Sequence, residues 1–429
     1  MKTKILLWSV VSILTVGMAK DTHLLSKSDR AQIITLSDGT KLTLLGTTYG
    51  DYHVAPKYGH LHTGNWIRSS NSTTVVWVEA VHKLKHRPSY ELLISDRANT
   101  ACVPIEAKSS SHVKDGVDVQ GFVLNVFPRW DKETILRARL YRGAVSREQF
   151  VISNPPHGSL TNWTPKLLPN TQSDGDIVVT LTNFVVGAPL PHRRGNDLPL
   201  NDPVNQCVRL GFDLKQNGQS VTNWRPWLVE TSDATGNHIR GVVSDYPQDG
   251  FYDLPRGRIE GYFYRPGLWP REPAWKVRLE FTRTSGFDDH EILTLTNIPV
   301  QIGTEEERDA QWTWEAGDEH LAFTDYFVNG VQLKLFPPIL HPAAAQPGKM
   351  FLSVIMRPNP NPERSGMRMT LIQATDEQGR ELWSPFTPHA GYNCSINFPD
   401  PRRDIKSLNL KFALHKSRHL EFLVKPMMR

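Results

Sequence analysis

Cysteine is scarce: the 429 residues hold only Cys102, Cys207 and Cys394. A disulfide needs α-carbons within about 7 Å, and these three fall in separate modules, so three separate thiols are expected and a disulfide-stapled scaffold is not. Charge of one sign is also lacking. Lysine and arginine number 49 against 44 acids, a formal net charge of +5. The densest basic stretch, His82 to Arg87, reads as a solvated turn between strands. Nothing resembles the long basic stripe of a nucleic-acid binder, so nucleic acid is not expected as a partner. Signatures of chemistry are missing too. There is no GxSxG elbow, no glycine-rich phosphate loop, no HExxH pair and no twelve-residue calcium loop. No cofactor is expected, and no catalytic residue can be nominated.

Long apolar runs are limited to one place. Lys2 and Lys4 precede an apolar run from Ile5 to Val16, and Gly17-Met18-Ala19 puts small residues where a signal peptidase reads. The run is shorter than the roughly twenty residues a spanning helix needs. Residues 1–19 are therefore read as a signal peptide, and the chain as exported, to a periplasm, a cell surface or the medium. The alternative is an uncleaved segment that anchors the chain to a membrane, the one case in which membrane contact is expected.

What the sequence does contain is a frame written three times. A Gly-aromatic pair, a later Pro, an alternating strand and a closing strand recur every 130 to 140 residues. The first copy reads Gly121-Phe122, Phe127-Pro128, Ile135 to Tyr141 and Glu148 to Pro155. The second reads Gly261-Tyr262, Trp269-Pro270, Trp275 to Phe281 and Glu291 to Leu295 with Pro299 beyond. Gly391-Tyr392, Phe398-Pro399, Leu408 to Leu414 and Glu421 to Pro426 make the third. Upstream, each copy opens with a strand running to Gly (42–50, 179–187, 321–330), then a long irregular connection, an apolar strand, and a strand ending in an Asp turn. A recurring period names the folding unit before any element is assigned.

Arg278-Leu279-Glu280-Phe281 and Leu408 to Phe412 alternate apolar and polar residues, as a half-buried strand requires. No window after residue 19 shows helical periodicity, and 304–309 reads as a charge run between modules. Short strands between Gly and Pro signals indicate an all-β chain of antiparallel sheets packed face to face. The expected architecture is three tandem immunoglobulin-like β-sandwich repeats over 30–155, 174–300 and 312–429. That length suits three cores better than one.

The best candidate site is the long connection of the first repeat, where His53, His60 and His62 lie near Trp66. Imidazoles at that spacing suit a shared metal, although loop histidines are more often bonded locally, and whether a metal binds is left unknown. Acidic turns at Asp174-Gly175-Asp176 and Asp376 to Gly379 are explained by turn geometry. The functional expectation is a non-catalytic binding or scaffold protein with a protein or carbohydrate partner, its recognition loops held at the ends of rigid sheets. A metal-dependent enzyme or ligand-binding protein, with its site on the long loop, is the alternative.

Overall fold

The computed structural model describes residues 32–58, 66–82, 90–95, 102–154, 163–189, 206–244, 253–263, 272–313, 322–342, 348–359, 366–382, 394–399 and 401–428, apart from short breaks at 106, 115, 125, 128–130, 141–142, 222, 255–257 and 426. The segment read as a signal peptide lies outside them. The described chain is nearly all β, in antiparallel sheets with one α-helix. It divides into two compact units near Pro156: one carries the segment read as the first repeat, apart from residues 101–104, and the other carries the segments read as the second and third.

In the first unit, Lys41–Val54 pairs with Trp66–Val81, which pairs with Val117–Leu124. A second set joins Tyr90–Ser95, Glu133–Leu140 and Gln149–Ser153. The closing strand thus lies beside the alternating strand of its own repeat.

The segments read as the second and third repeats use the same pairings with one change. In the second, Ile177–Pro189 pairs with Gln206–Gln216, which pairs with Arg258–Phe263, while Trp224–Asp233 pairs with Trp275–Arg283. In the third, Val331–Leu335 and Cys394–Pro399 flank Met350–Asn359, while Met367–Asp376 pairs with Ser407–Lys416. The closing strands are exchanged. Ile292–Pro299, which the sequence frame places in the second repeat, pairs with Ser407–Lys416 of the third. Arg418–Val424, from the third, pairs with Trp275–Arg283 of the second.

Connection length explains the exchange. Residues 141–148 link the last two strands of the first repeat and 284–291 those of the second, whereas Ser417 alone separates Ser407–Lys416 from Arg418–Val424. The tightest common hairpins need two loop residues, so the chain cannot reverse at Ser417 and runs on into the neighbouring sheet. Ser417 is buried, and its N–H and hydroxyl both donate to the Gly366 carbonyl at 2.9 Å.

Packing follows the exchange. Leu295 and Ile298 join the third repeat's core, with Leu333, Val354, Ile396, Phe398, Leu410 and Phe412. In the second repeat Phe212 meets Phe281 edge-on at 5.6 Å, and Phe184 meets Trp275 at 5.5 Å, so residues of both strand sets interdigitate. Phe422 and Val424 of the exchanged strand are fully buried there. A buried ion pair also ties the repeats together. Arg368 sits on Glu280 at 2.6 Å from Nε to Oε1 and 2.7 Å from Nη2 to Oε2.

Two sequence expectations need correction. Residues 304–309 are not only a charged connection: Glu305–Thr313 is an α-helix. Thr304 N–H donates to Glu307 Oε2 at 2.8 Å, and Glu307 N–H donates to Thr304 Oγ1 at 3.3 Å, a reciprocal cap that offsets the lack of an apolar stripe. In the third repeat the strand that matches the openers of the first two is Val331–Leu335, one hairpin later than the 321–330 reading. Asn329 and Gly330, both at positive φ, turn Thr324–Val328 back onto it.

Candidate functional site

Where it is described, on either side of residues 59–65, the connection expected to be irregular in the first repeat is a paired ribbon. Lys41–Val54 and Trp66–Val81 remain paired as far as Tyr52↔Arg68, His53↔Ile67 and Val54↔Trp66. Register shifts between Leu44 and Gly46 and between Gly50 and Tyr52 break the period-two pattern and hide the strand from a reading by alternation. Gly46 and Gly50 take φ of 141° and 137°, backbone that side chains rarely adopt. The second bulge re-aims the side chains. Thr48 and His53, an odd number of residues apart, point to one side, while Tyr49 and Tyr52 are exposed.

His53 is fully buried on that side. Its Nδ1 lies 3.0 Å from Thr48 Oγ1 and its Nε2 3.0 Å from Thr73 Oγ1. Trp77 Nε1–H donates to Thr48 Oγ1 at 3.0 Å. The indole is a donor only, so Thr48 Oγ1 accepts from Trp77 while it also contacts Nδ1. Both ring nitrogens are engaged, and a metal would have to displace a hydroxyl to reach either.

Around this network Ala55, Ile67, Val75, Trp77 and Val119 form a small core of their own. Val76 and Val78, on the opposite face of the strand, are also fully buried, so the middle of Trp66–Val81 is covered on both sides. The Gly of the first Gly-aromatic pair has its reason here. A Cβ on Gly121 would come within 2.7 Å of Ile67 Cδ1 and 2.8 Å of the Trp77 ring.

Of the residues singled out from sequence, His60 and His62 lie outside the described residues. Trp66 pairs with Val54, and its side chain lies outside the description. Thr48, Thr73 and Trp77, which hold His53, carry no sequence signal beyond strand propensity. Removing the imidazole takes a partner from the buried Thr48 hydroxyl and from the half-buried Thr73 hydroxyl, and a buried polar group left unsatisfied costs about 1–3 kcal/mol. His53→Ala is expected to lower the stability of the first unit by about that much, read by urea denaturation followed through tryptophan fluorescence.

No protein-family model, curated protein or solved structure matches the chain. Function must therefore be argued from geometry.

Other polar clusters are committed to structure. Asp288, His290 and Glu291 bring potential ligand atoms within 4.8 Å of one another. Glu291, however, takes Arg283 on Oε1 and the Asp288 N–H on Oε2, so its charge is matched and the trio caps a turn. Asp376 Oδ1 accepts from the N–H groups of Gln378 and Arg380, and Oδ2 from Arg380 Nε. Asp174 and Asp176 face Arg418 of the exchanged strand at 3.9 and 3.4 Å. A hydrogen bond from Gln216 Nε2, more than Arg418 itself, holds Asp176 below the usual carboxylate range.

Proposed function

We propose that this chain is an exported, non-catalytic binding or scaffold protein of three immunoglobulin-like β-sandwich modules, over 30–155, 174–300 and 312–429. The observation that carries this reading is the reciprocal exchange of Ile292–Pro299 and Arg418–Val424. Exchange, together with the buried Arg368–Glu280 pair, spends sequence on fixing two modules against each other. Rigidity of that kind favours recognition, because loops presented by a stiff support lose less freedom when a partner binds. The polar clusters described above are consumed by caps, turns and ion pairs.

The partner is a protein or a carbohydrate met outside the cytoplasm. Cross-linking in the exported fraction of the source cells, followed by mass spectrometry, and binding to a glycan array together test this. A reproducible partner in either assay, with the chain's N-terminus beginning after Ala19, is the expected result. Retention of Met1 on the exported protein would replace cleavage by anchoring, and substrate turnover by the purified chain would overturn the binding role.

A further inference from the structure

We draw no further inference here: the strongest candidate, the outer edge of Thr324–Val328 in the third repeat, where Phe327 is 73% exposed and the strand pairs among the described residues with Val331–Leu335 alone, carries nothing because nothing in the structure shows what covers it.

Discussion

Phe422→Ala should destabilise the second repeat, although Phe422 belongs to the third by sequence. Phe422 is fully buried and lies opposite Val277 across the strand pair that closes the second repeat. Truncating a buried Phe costs about 3–5 kcal/mol, the lost transfer energy together with the cavity left behind. Hydrogen exchange localises the loss: amides of Trp275–Arg283 should open more than those of Met350–Asn359. Leu295→Ala gives the reciprocal result. Leu295 lies in the third repeat's core, so a cost of about 2–5 kcal/mol should appear there. If each substitution loosened only its own repeat by sequence, the exchange would be wrong.

The buried pair of Arg368 and Glu280 supplies the second large effect. Glu280→Ala leaves a guanidinium 3% exposed without its carboxylate, and removing one member of such a pair costs about 3–5 kcal/mol. The double replacement Glu280→Leu with Arg368→Met removes both charges and should recover most of that loss, since a well-packed apolar pair often matches or exceeds a buried ion pair. A double-mutant cycle by chemical denaturation measures the difference. Equal losses in the single and double variants would show that packing of the long side chains, and not desolvated charge, dominates at this contact.

Much of the fold could be read from sequence because inward positions alternate. Leu279 and Phe281, or Leu408, Leu410 and Phe412, display the period of two directly, and all five are buried. Which repeat a closing strand joins could not be read the same way. Leu295 and Phe422 would bury an apolar face in either module, so alternation does not distinguish the partners. The one available signal was the distance between strands, a single residue at Ser417 against the longer connections 141–148 and 284–291.

The ribbon around His53 was obscured for a different reason. Bulges at Gly46 and Gly50 shift the phase of the alternation, so a continuous strand looks aperiodic. The helix Glu305–Thr313 has no clear apolar stripe, yet Thr304 and Glu307 carry the spacing of a capping box. At the candidate site, sequence found His53 but not its partners.

The one-residue connection at Ser417 also sets an order of events during synthesis. The first repeat has its closing strand, Gln149–Ser153, within its own span and can complete its sheets as soon as that segment is available. The second repeat must wait. Trp275–Arg283 leaves the ribosome with Val277, Leu279 and Phe281 ready for burial, but Arg418–Val424 is made only after nearly all of the third repeat. In the interval an unpaired strand edge and an apolar face stand open, which is when a nascent chain is most prone to aggregate or to recruit the wrong strand. For this protein, the slow and vulnerable stage of biogenesis falls between the two halves of the exchange.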